Sequence, residues 1–150
     1  MAAVEDGRSA GGIAMALGGA MMVLGHGLLS IYPYLDFGLD SFGWSQLILR
    51  IAASSVPAVV VVAAAVLYLR DPRRFAGAWI AVLALGFADL ASLALTLAQE
   101  VLSPSGGFGI ISQLPVEYWL SLAGGLIAVI GSLLVRAEVA NAAVEAAAQP

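Results

Sequence analysis

Residues 11–30 read Gly-Gly-Ile-Ala-Met-Ala-Leu-Gly-Gly-Ala-Met-Met-Val-Leu-Gly-His-Gly-Leu-Leu-Ser, with no Asp, Glu, Lys or Arg among them. A helix needs about 20 such residues to cross a bilayer, so this stretch is long enough to span one. Its glycines recur every seven residues in two adjacent registers, Gly11, Gly18 and Gly25 in the first and Gly12 and Gly19 in the second. Seven residues make about two helical turns. Each register therefore draws a line along one helix face where a second backbone can approach closely. His26, the single histidine, takes the next place in the second register. The stretch reads as a close-packing membrane helix carrying one polar group, and the rest of the chain reads as three more helices around it.

Composition agrees. The 150 residues are 61% hydrophobic and 11% charged, with a mean hydropathy of +0.98, whereas soluble domains carry about 25% charged residues. The absence of cysteine removes disulfides, thiolate metal sites and cysteine nucleophiles together. A net charge of −4 leaves no basic stripe to neutralise phosphates, so nucleic acid is not an expected partner. One histidine cannot supply two axial haem ligands within a monomer. No nucleotide-binding loop, His-Glu-x-x-His site or nucleophile elbow is present. The expectation is a chain without cofactor or metal and without enzymatic activity.

Outward from the opening stretch, four apolar runs give spans at about 11–32, 46–69, 75–98 and 116–135. Residues 1–10 form a flexible tail in which Ser9 is placed to cap the first helix. Pro33 is expected to stop that helix, because the residue before a proline is pushed out of the helical region. Tyr32 and Tyr34, and likewise Tyr118 and Trp119, fall where a membrane interface places amphipathic rings. Pro57 should kink the second span, with Ser54 and Ser55 near the backbone groups it frees. The residues of the 11–136 transmembrane domain are followed by an alanine-rich tail, 137–150, expected to prolong the last helix for a few turns. Residues 42–47 (Phe-Gly-Trp-Ser-Gln-Leu) and 108–114 (Phe-Gly-Ile-Ile-Ser-Gln-Leu) match with one insertion, either a faint duplication or two similar interfacial loops.

Arginine placement sets the orientation. In a four-span chain Arg8, Arg70, Arg73, Arg74 and Arg136 fall on one side and only Arg50 near the other. Arginine-rich short loops stay in the cytoplasm, so both termini are expected there. The fold class is thus an all-α membrane protein, an antiparallel four-transmembrane-helix bundle with cytoplasmic N and C termini, multi-pass in the cell membrane. Arg50 is expected to reach toward Glu117, Glu100 or Asp40 at the outer interface.

Two features carry chemical interest. The first is packing: Gly124, Gly125 and Gly131 on the fourth span answer Gly11, Gly12, Gly18, Gly19 and Gly25 on the first. Met15 and Met22 flank the same stripe as packing residues. The second is Asp89, the carboxylate well inside a span, where ionisation costs about 2.5–3.5 kcal/mol on insertion scales. Gly86, Asp89, Ser92, Thr96 and Glu100 follow at spacings of three and four. That stripe is either a thin aqueous path or an interhelical hydrogen-bond seam. Counted from Gly11 and Phe75 at about 1.5 Å per residue, His26 and Asp89 lie at nearly the same depth, about 22 Å in, and could pair. Such a pair is either a structural bond or a proton relay, since histidine titrates near neutral pH.

The functional expectation is a small non-catalytic membrane subunit or a homo-oligomeric structural component, with the lipid bilayer and other membrane subunits or further copies of itself as partners. The rival, from another class, is a proton- or ion-coupled transporter built on Asp89 and His26. A water-accessible Asp89 would favour the rival, and a dry, fully paired one the subunit.

Overall fold

In hydrocarbon a spanning backbone has no water to bond, so each segment must satisfy its own N–H and C=O groups, and a helix does this without a partner. The computed structural model describes residues 9–37, 44–103, 111 and 114–148. They form four helices: α1 (Ala10–Phe37), α2 (Trp44–Arg70), α3 (Ala78–Leu102) and α4 (Val116–Ala147). Three are long and apolar enough to cross a membrane, α1 over Ala10–Leu28, α3 and α4. The described apolar stretch of α2, Ser55–Arg70, is shorter. The protein is an all-α, multi-pass membrane protein.

Several boundaries differ from expectation for physical reasons. α1 continues through Pro33 to Phe37. A proline removes one backbone donor, and membrane helices accommodate that loss more readily than soluble ones. α3 begins at Ala78 instead of Phe75, because the connection folds into tight turns first. There Asp71 Oδ1 accepts from the Arg74 N–H at 3.1 Å, the Phe75 N–H donates to Asp71 O, and the Ala78 N–H donates to Phe75 O. α4 starts directly after Pro115, whose missing N–H would be unpaired in a first turn anyway, and runs to Ala147 through the alanine-rich tail. Of the matched segments, residues 42–43, 108–110 and 112–113 fall outside the described residues, and so do the side chains of Tyr32, Tyr34, Arg50 and Ser54.

The helices form a ring in which α1 and α3 each pack on α2 and α4, with α1–α4 the broadest interface and α2–α3 the narrowest. The two glycine registers of α1 face different neighbours. Gly11 lies against Gly131 and Val135, Gly18 against Gly124 and Ala128, and Gly25 against Glu117 and Ser121, all on α4. Gly12 lies against Tyr68 and Leu69 and Gly19 against Val61 and Val62, all on α2. Along α4, Gly124 and Gly131 meet α1, whereas Gly125 turns to Asp89 and Leu90 of α3. At Gly18 an added Cβ would stand 2.4 Å from the Ala128 nitrogen and 2.6 Å from the Gly124 oxygen, so only glycine permits this separation.

The interior is correspondingly small-chained. Met15, Met22, Ala58, Val61, Ala65, Val82, Ala128 and Val135 are fully buried. Large apolar side chains such as Leu17, Leu24, Val59, Phe87, Leu95 and Ile130 point outward. Lipid tails are as apolar as leucine, so close backbone packing and hydrogen bonds hold such a bundle where the hydrophobic effect cannot.

Candidate functional site

His26 continues the register that Gly12 and Gly19 direct toward α2, but its longer side chain crosses the ring. Helical side chains lean toward the N-terminus of their own helix. The imidazole reaches α3, where Nε2 lies 2.5 Å from Asp89 Oδ1. The pair is an ion pair whenever the imidazole is protonated. It links two helices that share little backbone contact, and it is well shielded, with side-chain exposures of 18% and 6%. The bond holds a proton in either state: an ionised Asp89 accepts from Nε2–H, and a protonated Asp89 donates to a bare Nε2.

The other carboxylate oxygen stands apart. Asp89 Oδ2 is buried without a hydrogen-bond partner among the described residues. It rests on Gly125, where an added Cβ would sit 3.0 Å away, so the glycine makes the room the carboxylate occupies. Ser121 Oγ and Glu117 Oε2 are likewise buried and unpartnered. Glu117, Ser121 and Gly125 follow at intervals of four, so they share one face of α4. Ser121 Oγ presses on the backbone of Gly25, next to His26. The three unpartnered oxygens thus belong to the part of the bundle where α1, α3 and α4 meet. Asp89 is buried and half paired, a state between the two alternatives posed by the sequence.

The polar stripe does not extend from Asp89. Ser92 and Thr96 are exposed, as are Gln99 and Glu100, and the Thr96 hydroxyl donates back to Ser92 O at 3.0 Å. Ser92 is rotated about 60° from Asp89 around the helix. Thr96 shares the azimuth of Asp89 but not its cover: the Tyr118 hydroxyl, in the first turn of α4, already donates to Leu93 O at 2.7 Å. α3 beyond that level rises past the start of α4. Ser55 is half-buried, remote in sequence from the pair, with no bond to it. Tyr118 itself is buried inside the bundle, where the sequence suggested an interface anchor, and only Trp119 is exposed. The expected reach of Arg50 toward Glu117, Glu100 or Asp40 lies outside the described residues. Among the described residues no three His, Cys, Asp or Glu side chains are grouped to hold a metal ion.

A second polar cluster sits at the opposite end of the ring. Ser9 caps α1, accepting from the Gly12 N–H at 3.0 Å. Its hydroxyl donates to Glu138 Oε2 at 2.5 Å, the Tyr68 hydroxyl donates to the same oxygen at 3.2 Å, and the Gly11 N–H donates to Oε1 at 3.4 Å. Glu138 therefore ties α1, α2 and α4 together and sets a carboxylate at the positive end of the α1 dipole. The Ser9 cap was legible as a small polar residue before an apolar run. Glu138 and Tyr68 were not, because nothing local marks their partners. No family model matches the chain, and neither a curated protein nor a solved structure matches it.

Proposed function

We propose that the protein is a small non-catalytic integral membrane subunit, or a homo-oligomeric structural component of a membrane assembly. In this reading it is an antiparallel bundle with both termini on the cytoplasmic side of the cell membrane. The falling order of α4 partners as α1 advances and the crowding of arginine at one end support that arrangement. The observation that carries the role is a contrast in where small residues point. Every glycine of α1 and α4 except Gly27 serves a contact inside the chain. Ala84, Ala88, Ser92 and Thr96 of α3 instead follow at intervals of four on an exposed face. Ser92 and Thr96 lie about 20 and 26 Å along α3 from Trp79, within a hydrocarbon layer about 30 Å thick. The Thr96 hydroxyl is satisfied by Ser92 O of its own helix, whereas lipid offers the Ser92 hydroxyl no partner and a neighbouring helix offers both close packing and a hydrogen bond.

The cysteine-free chain makes the test direct. A single Ser92→Cys variant in native membranes should form an oxidative cross-link to a second copy or to another membrane polypeptide. Leu67→Cys, on the exposed face of α2, should not. A monomeric Ser92→Cys protein, fully open to a lipid-soluble maleimide, would overturn the reading.

The buried, unpartnered Asp89 Oδ2 favours a second reading, proton- or ion-coupled transport through the His26–Asp89 pair. Intramembrane ionisable residues mark such pathways in many membrane proteins. Asp89→Asn in proteoliposomes separates the two. Loss of a pH-driven flux with folding intact supports transport, and absence of any flux in the unmodified protein removes it.

A further inference from the structure

Four exposed arginines gather where α1 begins and α4 leaves its span: Arg70, Arg73 and Arg74 in the α2–α3 connection, and Arg136 on α4. Among the described residues none of them forms an ion pair with a carboxylate. The acids nearest in sequence are turned elsewhere. Asp71 Oδ1 takes the backbone N–H of Arg74. Glu138, two residues past Arg136 and so on a different side of α4, is engaged by Ser9, Gly11 and Tyr68. Asp71 keeps its charge beside these arginines, but no arginine at this end is ion-paired among the described residues.

Two of these guanidiniums are also held in place. Arg74 lies over the Phe75 ring, 5.6 Å from its centroid, and Arg136 over the Trp79 ring at 5.7 Å. Both rings pack against the buried core, so the platforms are fixed. A guanidinium held over a ring still has N–H donors free for phosphate oxygens. Immediately deeper, Ile80 on α3 and Leu133 on α4 are exposed and apolar. A ligand that fits has an anionic phosphate at the level of the tryptophan and hydrocarbon beneath it.

We infer that Arg136 on Trp79 and Arg74 on Phe75 form a headgroup site for an anionic phospholipid, with Arg70 and Arg73 adding to its field and Ile80 and Leu133 meeting the acyl chains. A lipid occupant follows from the apolar surface directly below the cations, which a soluble phosphate would leave unused.

Native mass spectrometry of the full chain in mild detergent tests this, with phosphatidylglycerol and phosphatidylcholine of matched acyl chains as probes. The unmodified protein should retain the anionic lipid at least about fivefold better, the equivalent of one arginine near a charged surface. Equal retention overturns the proposal without recourse to any variant. Arg74→Gln with Arg136→Gln should abolish most of the preference, while Arg73→Gln, which removes a cation stacked on no ring, should change it least. Arg136→Lys keeps the charge and loses the planar stack, so it should fall between. Uniform weakening by every arginine variant would mean a diffuse field and no site. Displacement of the lipid by an equal concentration of inorganic phosphate would assign the site to a soluble anion and overturn the lipid.

Discussion

The α1–α4 seam and the outer face of α3 are both lined by small residues, yet one is shut and the other open. At the seam the small residues are glycines on both helices, and backbone meets backbone: Gly131 would bring an added Cβ within 2.5 Å of the Met15 nitrogen. On α3 the stripe is Ala84, Ala88, Ser92 and Thr96, with nothing among the described residues laid over it. The difference teaches that a small-residue pattern in a membrane helix marks a place of contact, and that the identity of the facing residues decides who makes it. Glycine on both sides gives the chain its own closure. Alanine and hydroxyl on one side leave a surface of the kind a separate helix can use.

The sharpest way to break this comparison is to put a methyl group into the seam. Gly18→Ala should lower stability by about 3 kcal/mol, the scale of overpacking, because the atoms in its way are backbone and cannot swing aside. Gly27→Ala, on the same helix with nothing within 4 Å, should be neutral or gain up to about 1 kcal/mol from helix propensity. Unfolding in mixed micelles reads both, and equal stabilities would mean the seam is looser than described. Next in size is the cross-ring bond. Asp89→Ala strips His26 of its partner and should cost about 1–3 kcal/mol by the same assay, and Asp89→Asn, which keeps an acceptor oxygen, should cost less. A smaller effect is expected at the far end: Glu138→Ala removes an anion from the α1 N-terminus, worth about 1 kcal/mol. Faster hydrogen exchange confined to residues 11–14 would locate that loss. Smallest for the fold is Ser92→Ala with Thr96→Ala, within about 0.5 kcal/mol for the isolated chain. The same pair should weaken cross-linking between polypeptides, and an unchanged cross-link would close the α3 face as a contact surface.

What could be read in advance was what repeats or what lies at a countable depth. The glycine registers followed from a period of seven, and the meeting of His26 with Asp89 followed from two counts at a fixed rise per residue. Rotation about the helix axis was harder. Residue spacing placed Ser92 and Thr96 with Asp89, but burial at a given azimuth depends on where the covering helix ends. α4 begins level with Leu93. Tyr118 was read from its place at a span end as an interfacial ring, yet it turns inward because a carbonyl of α3 stands opposite. Ser121 looked like one more residue of an apolar run. Only the approach of Gly25 gives it a place beside the pair. Pro33 misled in the other direction, since a rule drawn from soluble chains overstated its power to end a helix in lipid.

The cap that Glu138 places on α1 has a consequence for how the protein is made. Within this chain α1 is made before α4, and the Glu138 carboxylate that joins its N-terminus arrives 129 residues after Ser9. α1 must therefore enter the membrane with its local Ser9 cap alone and with an open glycine face until α4 is inserted. The ring of four helices closes only after α4 has been inserted. A polypeptide stalled before α4 would lack both the seam and the cap, and quality-control proteases would meet it as an open three-helix intermediate.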